Sequence, residues 1–158
     1  MARLATGLDV AYIPTPKTVV HQMLRLVRLR QGEVLYDLGA GDGRILIEAA
    51  RKFGAKPVGI EIDSVRVTRI KERLKSTGVE AEVIQGDFME TNLSRADVIT
   101  IYLSDSVNAK LAPKLRRELK TGARIVSLDY ILPAWVPTRE VTLKSAGVTR
   151  RLYLYRVA

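Results

Sequence analysis

Three glycines at alternate positions, Gly39, Gly41 and Gly43, constrain this chain more than any other feature. The apolar residues Val34 to Tyr36 precede them, as expected of a buried strand, and the residues after Gly43 have the apolar spacing of a helix. A strand, a glycine-rich turn and a helix in this order form the nucleotide-binding turn of open α/β sheets. Glycine spacing alone is a weak indication of a ligand, because similar turns also serve helix–strand packing.

Carboxylates around the turn narrow the class of ligand. Asp37 ends the first strand, Asp42 lies inside the turn, and Glu61 ends the next apolar run. These converging negative charges would repel a pyrophosphate, so a phosphorylated dinucleotide is not expected. A ligand with a cationic amino group, a sulfonium and a ribose diol fits instead, and S-adenosylmethionine has all three. Glu61 follows the turn by roughly 20 residues, the offset at which an acidic residue reaches the ribose in such folds.

The rest of the chain alternates between strand and helix patterns. Further strands are expected at 57–62, 81–84, 96–103, 123–130, 140–143 and 151–157. Strands that alternate with helices imply a parallel sheet, whereas the last two strands are joined by about seven residues, too few for a helical crossover. We therefore predict an α/β fold: a Rossmann-like, seven-stranded class I methyltransferase sheet with helices on both faces and an antiparallel final hairpin.

Composition excludes several kinds of site. The chain has no cysteine and one histidine, so disulfides, thiolate metal sites and a cysteine nucleophile are excluded, and no metal site is expected. The net charge of +9 is unevenly spread: residues 1–30 carry +4, residues 31–109 carry −3 and residues 110–158 carry +8. The basic ends indicate either a solvated surface, common in heat-adapted proteins, or a weak contact with nucleic acid.

The length of 158 residues predicts one domain, residues 1–158. Within it, residues 1–31 are expected to form an N-terminal helical segment that completes the cofactor pocket, with a helix from Thr15 to Gly32. No apolar run is long enough to cross a membrane, and no membrane association is expected. We expect a soluble, cytoplasmic monomer.

Several segments resemble one family of enzymes over nearly the whole chain. They are Tyr-Ile-Pro-Thr-Pro at 12–16, Tyr-Asp-Leu-Gly-Ala-Gly-Asp-Gly-Arg at 36–44, Gly-Asp-Phe at 86–88, Ile-Tyr-Leu-Ser at 101–104, Asn108, and Arg-Ile-Val-Ser at 124–127. The chain resembles the small archaeal broad-specificity protein lysine methyltransferases, relatives of the Dot1 histone methyltransferases and of mitochondrial lysine methyltransferases. This resemblance implies methyl transfer from S-adenosylmethionine to exposed lysines of several proteins, including chromatin proteins.

The same resemblance implies which residues hold the cofactor. They are Tyr12, Thr15, Asp37, Gly39, Gly41, Glu61, Ile62, Asp87, Phe88 and Tyr102. Ile62 and Phe88 would border the adenine, and Asp87 would accept a hydrogen bond from its amino group. Tyr102 would line the opening toward the acceptor. Thr15 also fits a helix cap, Phe88 a core aromatic and Asp87 a turn residue.

The acceptor side is assigned to residues that follow the fourth and fifth main strands. Candidates for a lysine channel are Tyr102, Ser104, Asp129, Tyr130 and Trp135. Aromatic rings can enclose an alkylammonium group face-on, and a carboxylate can attract it. Because a sulfonium methyl is already activated, positioning dominates and no catalytic base is assigned. Trp135 also fits a loop anchor, since a lone large aromatic usually buries area.

Two other functions stay open from the sequence. Methylation of RNA agrees with the basic termini, but the chain shows no added RNA-binding module. It also lacks the Asn/Asp-Pro-Pro-aromatic signature of adenine amino-group methyltransferases, because the corresponding residues are Tyr102-Leu103-Ser104-Asp105. A cofactor-binding or nucleic-acid-binding protein without catalysis is the other alternative.

Overall fold

A computed structural model describes residues 14–158 in full and residues 2–3 and 9–10 as backbone. In chain order the elements are β1 (Ala2–Arg3), β2 (Asp9–Val10), α1 (Lys17–Leu26), β3 (Val34–Leu38), α2 (Arg44–Phe53), β4 (Lys56–Glu61), α3 (Ser64–Thr77), β5 (Glu82–Gln85), β6 (Val98–Ile101), α4 (Asp105–Glu118), β7 (Arg124–Leu128), β8 (Arg139–Ser145) and β9 (Val148–Arg156). The short strands β1 and β2 pair antiparallel, apart from the main sheet. Among the helices of residues 14–158, none has the length and apolar character that a bilayer crossing requires.

Seven strands form one sheet in the order β5-β4-β3-β6-β7-β9-β8. The pairs from β5 to β7 are parallel, and β9 runs antiparallel to both β7 and β8. The chain leaves β3 toward one edge through β4 and β5, then returns to the other side of β3 with β6. Ligands of open α/β sheets bind at the carboxyl ends of the strands where the order reverses, which is here between β3 and β6. The predicted fold class is confirmed.

Alternate residues of β3 face opposite layers of the core, as the period of a strand requires. Tyr36 packs in one cluster with Leu111 of α4. Leu35 packs in the other with Met23 of α1 and Ala49 of α2. All five side chains are at most 2% exposed, and burial of each large apolar side chain contributes roughly 1.5–3 kcal/mol. Helices therefore cover both faces of the sheet and hold its strand ends in place.

Local signals set the ends of α2 and α3. The Asp63 carboxylate caps α3 by accepting hydrogen bonds from the N–H groups of Val65 at 2.8 Å and Arg66 at 3.3 Å. Gly54 and Gly78 end α2 and α3, each in the left-handed conformation with φ of 67°. These caps satisfy backbone groups that the helices leave unpaired.

One helix, α1, differs from the sequence prediction, and another, α4, contains a proline. α1 ends at Leu26 instead of running to Gly32, and the chain turns at Arg28, which has a left-handed φ of 51°. Pro113 lies inside α4 without interrupting it. A proline has no N–H to donate to the carbonyl four residues earlier, which here belongs to Ala109. Because Ala109 is exposed, water can hydrogen-bond to that carbonyl.

The final hairpin is antiparallel as predicted, but its strands are longer than the sequence pattern indicates. Only Ala146 and Gly147 connect β8 to β9, and both have positive φ, at 50° and 76°. This is the backbone of a tight two-residue hairpin turn. An alanine in that conformation is uncommon, so the local pattern did not reveal how short the connection is.

Candidate active site

Asp37 lies near the carboxyl end of β3, beside the point where the strand order reverses. Its side chain is buried, and its Oδ1 accepts a 2.8 Å hydrogen bond from Thr100 Oγ1 on β6. Burial raises the pKa of Asp37 to about 7 against the lowering effect of the Thr100 hydrogen bond, and the charges of Glu61 and Asp42 add to the rise. A cationic group beside Asp37 would offset this cost, so the pocket favours a positively charged ligand.

The glycine turn is held against β4 by hydrogen bonds. The N–H groups of Gly39 and Ala40 both donate to the carbonyl of Ile60, at 2.9 and 3.0 Å. The N–H of Gly41 donates to Glu61 Oε1 at 2.9 Å. Gly39 and Gly41 have φ of 84° and 61°, a left-handed backbone that residues with a side chain rarely adopt. The turn therefore presents backbone without side chains to a ligand.

Glu61, the last residue of β4, is 4% exposed. Its Oε2 accepts a 3.0 Å hydrogen bond from the N–H of Asp63, while Oε1 accepts the bond from Gly41. Each oxygen keeps a further lone pair, so the fixed carboxylate can still accept from two ribose hydroxyls. The ribose contact stays a prediction, and the orientation of Glu61 suits it.

The charge of Asp42 is compensated by arginines although it still contributes to the raised pKa of Asp37, so the three converging carboxylates do not act as three unpaired charges. Its Oδ2 lies 2.6 Å from Arg44 Nη2 and 3.4 Å from Arg73 Nη1. Burial opposes ionisation of Asp42, but the hydrogen bonds from Arg44 outweigh it and the pKa of Asp42 is lowered. Arg44 Nη1 also donates to the carbonyl of Thr15 at 2.8 Å, which ties the start of α1 to the glycine turn. Arg44 has no role in the sequence prediction, although it ends the glycine motif at 36–44.

Thr15 is 6% exposed and does not cap α1. Pro16 is the N-cap residue, and no side chain hydrogen-bonds to the first turn there. The helix-cap alternative for Thr15 is therefore wrong, and its contact with the cofactor stays a prediction. Tyr12 lies outside the described residues.

The predicted adenine contacts follow β4 and β5. Asp87 is 7% exposed, and its Oδ1 accepts a 2.9 Å hydrogen bond from the N–H of Met89, as a turn residue does. The Phe88 ring is 2% exposed and packs in the core cluster that contains Tyr36. Ile62 is only partly buried. The core alternative for Phe88 fits this burial, and Ile62 has more surface left for an adenine face.

Tyr102 and Tyr130 stack at the carboxyl ends of β6 and β7, with ring centroids 6.4 Å apart and planes inclined by 21°. The guanidinium carbon of Arg150 lies 5.3 Å from the centre of the Tyr102 ring. Desolvation raises the pKa of Tyr102 despite the opposing charge of Arg150, so the phenol stays neutral at physiological pH. We call Tyr102 and Tyr130 the aromatic wall.

Asp129 holds the loop that follows β7. Its φ is 64°, a strained conformation for a residue with a side chain. Its Oδ2 accepts a hydrogen bond from Arg150 Nε at 2.9 Å, and its Oδ1 accepts one from the N–H of Arg151 at 3.0 Å. Both oxygens are engaged by β9, so the geometry favours a loop-holding role over attraction of a substrate cation.

Two buried polar residues without a role in the sequence analysis hold the backbone behind the aromatic wall. Asn108 Nδ2 donates to the carbonyls of Ile131 at 3.0 Å and Tyr130 at 3.4 Å, and Ser127 Oγ donates to the carbonyl of Tyr130. Both residues are 0% exposed. Each could have been recognised in the sequence as a polar residue at a position where the helix or strand pattern predicts an apolar one.

Ser104 and Trp135 have structural contacts. Ser104 is the N-cap of α4, and its Oγ accepts a 3.3 Å hydrogen bond from the N–H of Val107. Trp135 Nε1 donates to the carbonyl of Ala112 at 3.1 Å, and its ring meets Tyr155 edge-on at 6.0 Å. These contacts fit the loop-anchor alternative for Trp135. A channel role for either residue stays a prediction.

The residues around the glycine turn fit S-adenosylmethionine. The buried carboxylate of Asp37 suits its ammonium group, Glu61 suits its ribose, and the bare backbone at Gly39 leaves room for its chain. Within residues 14–158, no group of three or more His, Cys, Asp or Glu side chains is placed to hold a metal ion. A seven-stranded sheet of this order with such a pocket at its reversal point defines a class I S-adenosylmethionine-dependent methyltransferase.

Comparison with known proteins identifies the family within this class. Residues 37–139 match the model of the ANTKMT methyltransferase domain, and the chain belongs to this family. A protein-lysine N-methyltransferase of Saccharolobus islandicus is 39% identical, over 92% of this chain and 92% of its own length. The adenine nucleotide translocase lysine N-methyltransferase of Mus musculus is 34% identical, over 98% of this chain and 66% of its own length.

A solved structure agrees in fold and in cofactor class. It is a crystal structure described as an RNA methyltransferase from Salinibacter ruber in complex with S-adenosyl-L-homocysteine. It superposes with a TM-score of 0.85 and 44% sequence identity, over 92% of this chain and 94% of that one. The predicted family, the methyltransferase activity and the S-adenosylmethionine cofactor are confirmed.

Proposed function

We propose that this protein methylates the ε-amino group of lysine side chains in proteins. The observation that carries the proposal is the aromatic wall of Tyr102 and Tyr130, which stands at the ends of β6 and β7, next to the strand that bears Asp37. Aromatic rings attract an alkylammonium group, which suits them to a lysine side chain. The relatives described as lysine N-methyltransferases support the same acceptor.

The chain's own residues contribute position and desolvation. When bound, S-adenosylmethionine supplies a methyl group that its sulfonium has already activated. Asp37 and Glu61 orient the donor from two fixed carboxylates, and the aromatic wall aligns the lysine and excludes water. Burial beside the positive sulfonium lowers the lysine pKa from its reference value of about 10.4. The amine therefore loses its proton to solvent, and no dedicated base is needed. Positioning then supplies most of the rate enhancement.

We further propose a broad specificity that includes basic chromatin proteins. Residues 14–158 form the sheet, its helices and their connections, with no separate unit over the acceptor side. Recognition that depends on one lysine and few neighbours supports loose selectivity. A cytoplasmic location and a monomeric state stay predictions.

The test is transfer of a labelled methyl group from the cofactor to matched acceptors. One basic peptide contains lysines, and the second has every lysine replaced by arginine. We expect label only in the first, and mass spectrometry should place one or more methyl groups on lysine nitrogen. Tyr130→Ala should lower kcat/KM at least about tenfold, because the aromatic attraction for the cation and the alignment both disappear, whereas Tyr130→Phe keeps the ring and most of the activity.

RNA methylation is the second candidate, because the 44% identical structure is described as an RNA methyltransferase. In that case the aromatic wall would stack a base, as aromatic platforms do for single strands. RNA is therefore the third acceptor in the assay. Label in RNA and in neither peptide would replace the lysine proposal, and cofactor binding without any transfer would favour a non-catalytic role.

A further inference from the structure

A basic groove lies between the end of α1 and the part of the sheet formed by β7, β9 and β8. It encloses about 770 Å³. Its charged lining consists of Arg28, Arg30, Arg124, Arg139 and Arg156. No acidic side chain of the described residues lines it. We refer to it as the arginine groove.

Sheet topology places the arginine groove at the ends of the strands that lie opposite the active site. Arg124 begins β7 and pairs with Arg156 at the end of the antiparallel β9, and Arg139 begins β8. Asp37 and Tyr102, by contrast, lie at the carboxyl ends of the parallel strands β3 and β6. A five-residue strand such as β7 is roughly 16 Å long, so a ligand in the groove leaves the cofactor side open.

Arg124 shapes the groove and is itself neutralised. Its guanidinium donates to both carboxylate oxygens of Glu33, at 2.7 and 2.8 Å, and to the carbonyls of Val27 and Arg28. These hydrogen bonds hold Arg28 in its left-handed conformation. The hydrogen bond from Arg124 lowers the pKa of Glu33 to about 2. The ion pair between Arg124 and Glu33 therefore stays charged at physiological pH.

Three of the other groove arginines carry charge that no ion pair with residues 14–158 compensates. Arg28, Arg139 and Arg156 are exposed, and none of them forms an ion pair with any residue between 14 and 158. Arg30 is 76% exposed and reaches Glu33 only at 3.6 Å. Like charges gathered in one groove repel each other, and a polyanion in the groove would remove that repulsion.

We infer that the arginine groove binds the phosphodiester backbone of a nucleic acid. Guanidinium groups present paired donors that match phosphate oxygens, and phosphates follow one another closely along a strand. The apolar floor is formed by Leu26, Val27 and Leu154, whose side chains cannot hydrogen-bond to base edges. The contact therefore depends on charge and not on sequence. Carboxylates of an acidic peptide are spaced less regularly, on flexible side chains, and match the groove less well.

Nucleic acid in the groove would leave the active site uncovered, so that it could meet other molecules bound to the same strand. A lysine-rich protein bound nearby would then meet the cofactor side. The inference does not depend on which acceptor the enzyme methylates, because the groove and the aromatic wall share no residue.

The test is fluorescence anisotropy with labelled duplex DNA and labelled single-stranded RNA of equal length. The groove variant combines Arg28→Gln, Arg139→Gln and Arg156→Gln. The matched control combines Arg69→Gln, Lys71→Gln and Lys75→Gln, three exposed positions of α3 with the same reduction in charge. We expect the groove variant to bind at least roughly tenfold more weakly, and its salt slope on DNA to fall by about 0.9 for each phosphate that it no longer neutralises. The affinity of the control should change much less.

Three results decide the inference. Groove-dependent binding of either probe supports it, and the comparison of probes shows which nucleic acid is preferred. Equal weakening in the groove variant and the control overturns it, because binding then follows net charge alone. Groove-dependent binding of polyglutamate without binding of either nucleic acid also overturns it. Calorimetry with S-adenosylhomocysteine shows that both variants are folded, and transfer to the lysine peptide reports on the proposed function separately.

Discussion

Asp37 illustrates how a binding residue can destabilise the empty protein. In the folded chain Asp37 keeps its proton up to about pH 7, whereas an aspartate in the unfolded chain ionises near pH 3.9. The folded state therefore binds more protons between these values, so stability falls as the pH rises from about 4 to about 7 and stays reduced above it. The pKa difference sets an upper limit of roughly 4 kcal/mol on this cost.

We predict that Asp37→Asn stabilises the cofactor-free protein at pH 8 but not at pH 4. The amide still accepts the hydrogen bond from Thr100 and carries no charge to bury. Affinity for S-adenosylhomocysteine should fall at least about tenfold, since the amide replaces a charged hydrogen-bond acceptor. Thermal melts at the two pH values and calorimetry measure this, with Glu72→Gln on the exposed side of α3 as the control. An equal melting shift at both pH values would contradict the assignment of the proton to Asp37.

Asn108 is expected to control the acceptor side without touching the cofactor. Asn108→Asp keeps the shape of the side chain but removes the two N–H donations to Tyr130 and Ile131. We predict that stability falls by about 1–3 kcal/mol and that kcat for the lysine peptide is lower, with S-adenosylhomocysteine affinity unchanged. Asn92→Asp, on an exposed turn, is the control. Full peptide methylation by Asn108→Asp would show that the aromatic wall does not need this support.

At the scale of elements, the sequence predicts what local chemistry decides. The ends of α3 follow from Asp63 and Gly78, because each cap acts within a few residues of its helix. The early end of α1 does not follow from any local pattern. Arg28 is held in its turn by Arg124, a partner 96 positions further along the chain. Such a contact exists only after the sheet has formed.

The candidate site likewise contains some features that the sequence predicts and others that depend on tertiary packing. Asp37 and Glu61 could be predicted because the carboxyl ends of neighbouring parallel strands meet at one edge. The additional contact of Arg73 with Asp42 could not, since α3 must first pack beside the glycine turn. The stack of Tyr102 on Tyr130 likewise depends on the pairing of β6 with β7.

Gly59 on β4 tests the packing that brings the glycine turn to the sheet. A Cβ at Gly59 would lie 2.7 Å from Leu46 Cδ1 and 2.9 Å from Ala40 Cβ, so α2 and the turn would have to move. We predict that Gly59→Ala costs about 1–3 kcal/mol in urea unfolding and weakens cofactor binding. Gly86→Ala is the matched control, because a Cβ there meets nothing within 4 Å. Equal stability of the two variants would mean that the turn can shift freely.

At the scale of the whole molecule, the positive charge of the enzyme opposes its approach to basic acceptor proteins. The arginine groove and the active site together offer a way to overcome this repulsion. The enzyme carries a net charge of +9, and the basic proteins proposed as acceptors would be repelled at long range. A nucleic acid bound by both proteins would replace this repulsion with attraction. It would also raise the effective concentration of the acceptor near the active site.

We therefore predict that methylation of a DNA-binding basic protein is accelerated by duplex DNA at low salt and slows again at excess DNA. Acceleration requires enzyme and acceptor on one duplex, and excess DNA separates them onto different duplexes. Initial rates across a DNA titration measure this, with a lysine peptide that does not bind DNA as the acceptor control. The variant with Arg28, Arg139 and Arg156 changed to glutamine should transfer at one rate with or without DNA. Acceleration that persists in this variant would place the DNA contact on another surface of the enzyme.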